Sequence, residues 1–237
     1  MARYRLTRPE DLMDPVVVAA FDGWVDAGAA ATNATKELAG QGELVVEFDG
    51  DRLFDYRARR PVLEIQDGRP ERLTWPTLTI RRQRIGERDV LVLAGAEPDF
   101  QWQRFAKDLV ELAGELEVRE WISLGAIPAA VPHTRPVPVL GTESRPGLLR
   151  GDVKPGPDGL LRVPAACISI VDMAVSRAGI PAVGYFAQIP HYVSGEYPGA
   201  SAELLRAVGR HLDLEPPMGD LLEEARLLQL RLDTAAG

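Results

Sequence analysis

The chain has little cysteine and little histidine: 237 residues include one cysteine, Cys167, and three histidines, His133, His191 and His211. A single thiol excludes an internal disulfide framework and fits a reducing cytoplasm. Cys167 lies in the apolar run Val163 to Ile168 with no histidine near it in sequence, so it reads as a buried structural thiol rather than a nucleophile. No Cys or His pair has metal-ligand spacing, which argues against a zinc site; no metal and no cofactor is expected. A basic surplus is also missing. The net charge of -8 argues against nucleic acid or an anionic membrane as partner, because binding phosphate requires a basic face. Arginines gather at Arg52, Arg57, Arg59 and Arg60, but Asp49, Asp51, Asp55 and Glu64 offset them, so the cluster reads as solvated surface. Long hydrophobic runs are lacking too. Pro15 to Phe21 is too short for a membrane span or a signal segment and follows Glu10, Asp11 and Asp14, so a cytoplasmic location is expected.

The chain also lacks a Gly-x-Gly-x-x-Gly turn, a phosphate-binding Gly-x-x-x-x-Gly-Lys-Ser/Thr loop, a Gly-x-Ser-x-Gly elbow and a His-Glu-x-x-His helix. What is present alternates between buried strands and amphipathic helices. Pro15 to Phe21 has the continuous apolar character of a strand buried on both faces. An alanine-rich helix over Ala27 to Ala39, stopped by Gly40, and a strand over Gly42 to Phe48 complete a strand-helix-strand unit. Residues 49–75 form a long excursion with one apolar island at Val62 to Ile65, and Thr77 to Ile85 with Val90 to Ala94 predicts an antiparallel hairpin.

Asp99 is placed to cap a helix with a broad stripe from Trp102 to Leu116. Strands follow at Arg119 to Ile127, Pro138 to Gly141 and Pro181 to Ile189. Ser169-Ile-Val-Asp172 has capping-box spacing and predicts a helix through Ala178; further helices span Ser201 to Leu212 and about 219–233, the last with a wide leucine face. The pattern predicts one three-layer α/β domain over residues 1–237 with a mixed central sheet.

Polar groups concentrate where the apolar strands end, the usual place for ligands in open α/β sheets. In Phe21 to Gly28, Asp22 and Asp26 can bond a ligand hydroxyl or an arginine; alternatively Asp26 caps the helix and Trp24 packs. In Gly95 to Trp102, Glu97 and Asp99 offer paired carboxylates for acid-base work, or an ion pair and a cap. The segment Ala126 to Pro138 holds His133 and Arg135 between four prolines, which stiffen it; Arg135 either grips a carboxylate or makes a salt bridge to one of those acids. Gln188 to Pro198 adds His191 with Tyr192 and Tyr197, both expected to pack.

The same segments carry a family resemblance. Phe21-Asp-Gly-Trp-Val-Asp-Ala-Gly28, Trp75-Pro76, Gly95-Ala-Glu-Pro98 with Trp102, Leu124-Gly-Ala-Ile-Pro-Ala129 and Val131-Pro-His-Thr-Arg-Pro136 resemble the proteasome assembly chaperone 2 family, in its actinobacterial and archaeal branch, from about Pro15 to Leu212. The resemblance implies a mixed sheet similar to the purine nucleoside phosphorylase and hydrolase type, a homo-oligomer such as a trimer, and a role in proteasome assembly. It also implies docking through a C-terminal hydrophobic-Tyr-any residue tail. This chain ends Asp233-Thr-Ala-Ala-Gly237, with no tyrosine beyond Tyr197, so either a longer C-terminus carries that tail or docking takes another route.

The leading expectation is a non-catalytic oligomeric protein that mediates protein-protein assembly, with self and proteasome subunits as partners. Asp22, Trp24, Asp26, Glu97, Asp99, Trp102, His133, Arg135 and His191 are its candidate pocket or interface residues. The alternative is an enzyme binding a nucleoside-like or small anionic ligand through His133, Arg135, Glu97 and Asp22. A purely structural homo-oligomer would bury the alanine-rich face or the last leucine face between chains.

Overall fold

In the computed structural model, which describes residues 3–156 and 159–236, Val16–Asp22 (β2) lies at the centre of a nine-stranded sheet. Its side chains alternate between two cores. Val16, Val18 and Ala20 face one helical layer while Val17, Ala19 and Phe21 face the other, which is why the run is apolar throughout. Parallel to β2 on either side run Arg88–Ala96 (β7) and Glu120–Ala129 (β8), and Ala182–Pro190 (β11) runs parallel to β8.

The edges are antiparallel. Leu78–Ile85 (β6) pairs with β7, Glu43–Phe48 (β3) with β6, and Tyr4–Leu6 (β1) with β3. Beyond β11, Val139–Glu143 (β9) runs antiparallel, and Lys154–Pro155 (β10) pairs with β9. The expected strand-helix-strand unit therefore does not place β3 beside β2: β7 and β6 stand between them.

One layer contains Ala30–Ala39 (α1) and Pro198–Leu212 (α5). Ala30, Ala31, Ala34 and Leu38 are buried between the sheet and α5, so the alanine face serves close packing within the chain. Leu221–Ala236 (α6) packs on α5. The other layer contains Trp102–Glu115 (α3) and Cys167–Arg177 (α4), which bury Phe105, Leu109, Leu112, Cys167, Ile168 and Val171.

Helix starts depart from expectation. α1 is preceded by a 3-10 turn at Ala27–Ala29, with Ala29 in the left-handed region. Gln101, not Asp99, stands at the N-cap of α3 and makes no side-chain cap bond. α4 starts at Cys167, two residues before the capping-box motif, because a carboxylate from elsewhere in the chain serves its first amide. Residues 49–75 hold the short helix Gly50–Leu53 (α2) and a separate hairpin of Val62–Gln66 (β4) and Arg69–Thr74 (β5), every residue of which is exposed.

Candidate functional site

Because β7, β2, β8 and β11 are parallel neighbours, their carboxyl ends share one rim of the sheet, and the expected polar segments all sit on or beside it. Asp22 ends β2. Its Oδ1 accepts a hydrogen bond from Arg59 Nη1 at 2.6 Å, and its carbonyl accepts from the Glu97 amide at 3.1 Å. Among the described residues Glu97 pairs with no arginine, contrary to one expectation; its Oε1 accepts from the Cys167 amide at 2.7 Å, a carboxylate at the positive end of α4. Gly23, at φ 153°, leaves room for this: a Cβ there would stand 2.6 Å from Glu97 Oε2.

Asp26 caps as expected, reaching forward across the 3-10 turn. Its Oδ1 accepts from the amides of Ala31 at 2.8 Å and Thr32 at 3.3 Å, and its Oδ2 from the Thr32 hydroxyl. Burial raises its pKa, and these bonds offset only part of that rise. Trp24 does not pack but stands 70% exposed. Asp99 leaves the α3 cap and pins the long excursion instead, accepting from the Asp55 amide at 2.8 Å while its own amide donates to the Leu53 carbonyl at 2.8 Å. Trp102 leans on the second core, its indole N–H bonded to the Pro98 carbonyl.

A second group forms where the proline arm meets α5 and α6. The His133 amide donates to the Tyr192 hydroxyl at 2.8 Å, and His133 Nδ1 lies 2.8 Å from the same oxygen. With the hydroxyl accepting from the amide and donating to Nδ1, the proton of the neutral ring stands on Nε2. Nε2 is 3.4 Å from Asp233 Oδ1 of α6, within ion-pair range but outside hydrogen-bond geometry. His191 Nδ1 faces the Ala129 carbonyl at 3.2 Å, and the exposed Tyr192 ring packs edge-on against both imidazoles. Tyr197, by contrast, is buried as expected. Arg135 makes no ion pair among the described residues, against the expected salt bridge to Glu97 or Asp99. It borders a cleft of about 220 Å³ with Val137, Tyr197, Leu228 and Leu232.

The nine candidate residues thus fall into two sets. No hydrogen bond or ion pair among the described residues joins Asp22, Asp26, Glu97 and Asp99 to His133, Arg135 and His191. Arg59 was the partner sequence reasoning missed. It sits in the arginine cluster read as solvated surface, and only the fold of the excursion carries it to Asp22. A further buried relay spans the sheet and α5, with Tyr185 Oη 2.6 Å from His211 Nδ1 and His211 Nε2 2.8 Å from Glu120 Oε1. Burial works to raise the Glu120 pKa, but the bond and charge of His211 outweigh it and hold it low. Among the described residues, no group of three or more His, Cys, Asp or Glu is disposed to hold a metal ion, and no helix is long and apolar enough to cross a membrane.

Comparison with known proteins aligns with this architecture. A family model described as the PAC2 family matches residues 20–236. A Streptomyces avermitilis structure described as a PAC2 family protein is 38% identical, with 93% of this chain and 95% of that chain covered and a TM-score of 0.83. A Mycobacterium tuberculosis structure described as a proteasome-assembly chaperone homologue is 37% identical, with 92% and 94% covered and a TM-score of 0.84. An archaeal proteasome activator from Pyrococcus furiosus shares the fold at 15% identity, with 99% and 98% covered and a TM-score of 0.77. No curated protein matches the chain.

Proposed function

Since the chain belongs to the PAC2 family, we propose that it is a non-catalytic protein of the assembly-chaperone type, acting in the assembly or handling of proteasomes. The observation that carries this reading is its likeness, over 92% of its length, to a protein described as a proteasome-assembly chaperone homologue. The rim chemistry supports it. Asp26 and Glu97 are engaged at helix starts, Asp22 is bound to Arg59, Asp99 holds a loop and His133 is bound to Tyr192, so these groups stabilise structure rather than forming a nucleophile-base pair. In this reading the chain is one cytoplasmic domain with a phosphorylase-like sheet. It self-associates, as a trimer, and binds proteasome subunits rather than nucleic acid or membrane. A pull-down from a proteasome-containing host with the native C-terminus should enrich proteasome subunits or their precursors; failure to enrich them removes the chaperone role.

One observation favours a second reading, a small anionic or nucleoside-like ligand: among the described residues Arg135 has no ion-pair partner, and it borders the cleft of about 220 Å³. A thermal-shift series with nucleosides and small carboxylates tests it: no shift rules the reading out, and a shift that survives Arg135→Gln rules out this cleft as the site.

A further inference from the structure

Among the described residues, two groups of large apolar side chains lie outside both cores and stand exposed. In the β4–β5 hairpin, Leu63 stands opposite Leu73 and Ile65 opposite Pro70. Directly opposed residues share a face, so these four make one apolar side, while Glu64 with Arg72 and Gln66 with Arg69 make the other. Leu63, Ile65 and Leu73 are 49%, 62% and 47% exposed, and none of the four joins either core. A two-stranded ribbon standing alone in water is marginal without cover. The second face is on α6. Leu221, Leu228 and Leu232 pack inward, whereas Leu227 and Leu230 lie on the outer side of the helix and Leu222 on its flank, 46%, 51% and 47% exposed.

Charge matches the two faces to each other. Residues 57–75 carry five arginines against three acids in a chain whose net charge is -8. Arg57, Arg60 and Arg69 have no ion-pair partner among the described residues. The stretch 213–225, leading into and opening α6, holds Asp213, Glu215, Asp220, Glu223 and Glu224 with no lysine or arginine. Among the described residues, only Glu223 of these acids is paired, with Arg226. Within one chain the faces do not meet, since the hairpin forms its own sheet and α6 packs on α5.

We propose that the apolar side of the β4–β5 hairpin docks on the outer leucine face of α6 of a second copy of this chain, with the free arginines against the acids beside it. The contact is heterologous. Each copy donates a hairpin at one end and receives one at the other, so a closed ring leaves neither face bare. An apolar centre with a charged rim is the anatomy of a protein interface. This inference rests on the self-association reading above and identifies its surfaces.

The test is light scattering on the full chain, on Leu63→Glu/Leu73→Glu, on Leu227→Glu/Leu230→Glu, and on an equimolar mixture of the two variants. The wild type is expected to be oligomeric and each variant to fall to the mass of one chain with unchanged circular dichroism. The mixture should form a one-to-one dimer, because one variant keeps the helix face and the other keeps the hairpin. A monomeric wild type overturns both this inference and self-association. An oligomeric wild type whose variants keep its mass overturns this inference alone, and variants that dissociate but do not pair on mixing overturn the head-to-tail contact. Should a leucine variant unfold, Arg60→Glu and Glu224→Arg replace it; each single reversal should loosen the oligomer and the double reversal restore it, and a double reversal no tighter than the singles overturns the pairing.

Discussion

Asp89 sits where β7 begins, is 0% exposed and accepts from three directions at once. The Met13 amide donates to Oδ2 at 2.7 Å, Arg82 donates Nε to Oδ1 at 2.8 Å and Nη2 to Oδ2 at 3.2 Å, and Arg84 donates Nε to Oδ1 at 2.9 Å and Nη2 to Oδ2 at 2.8 Å. Arg82 and Arg84 also bond the carbonyls of Glu10 and Asp11, so this carboxylate ties the N-terminal segment to the β6–β7 hairpin. Burial works to raise its pKa, but the bonds from Arg84, Arg82 and Met13 prevail and lower it from 3.8 to about 2. At about 1.36 kcal/mol per unit, that depression corresponds to about 2.5 kcal/mol of preference for the ionised form. Arg84 is 44% exposed and therefore partly screened, so the loss expected for Asp89→Asn at neutral pH is about 2 kcal/mol.

The sign of the pH dependence follows from the folded-state pKa being depressed. The contribution is complete above 3.8 and is lost as pH falls from there through about 2. Urea titrations of wild type and Asp89→Asn should therefore differ by about 2 kcal/mol near neutral pH, with equal slopes, and converge as the pH is lowered into that window. A difference that stays constant on acidification, or one below about 0.5 kcal/mol at neutral pH, refutes the reasoning.

Three other perturbations follow from single contacts. Gly95, at φ 140°, lies where a Cβ would collide with the Thr77 carbonyl oxygen of the neighbouring strand; Gly95→Ala should cost about 3 kcal/mol or more, seen as a large fall in melting temperature. Glu97→Gln keeps an acceptor for the Cys167 amide but removes the charge at the start of α4, and should lower stability by about 0.5–1 kcal/mol in urea, with Glu97→Ala costing more. Burial, with Glu97 nearby, pushes the Cys167 thiol pKa well up, so Ellman's reagent should leave it untouched in the native protein at neutral pH and titrate one thiol in denaturant.

Much of the fold is legible in local pattern. The run Val16 to Phe21 is apolar at every position because both faces of β2 are covered, and the stripe from Trp102 to Leu116 is broad because α3 buries one side against the sheet. The hairpin of β4 and β5 is legible only as the apolar island at Val62 to Ile65: the alternation is four residues long and stands outside both cores, so nothing in it marks the partner strand. Helix starts misled where long-range partners replace local caps. Ser169 to Asp172 has the right spacing for a cap, yet Glu97, seventy residues upstream of Cys167, takes that role. Asp172 instead bonds Ser123 in the sheet, and burial there carries its pKa up to about 7.

The candidate site divides along the same line. By itself, the sequence determined which strand ends bear acids, histidines and arginines, because polar residues break long apolar runs only where the chain leaves the core, and its ordered motifs carried the family resemblance. Only the tertiary structure decided which of those groups meet. It joined Asp22 to Arg59 and His133 to Tyr192 and Asp233, and kept Arg135 apart from the acids it was expected to bind. Side-chain pairing depends on how crossovers and loops return in space, with contacts spanning dozens of residues, and a period of two or 3.6 residues carries no record of that distance.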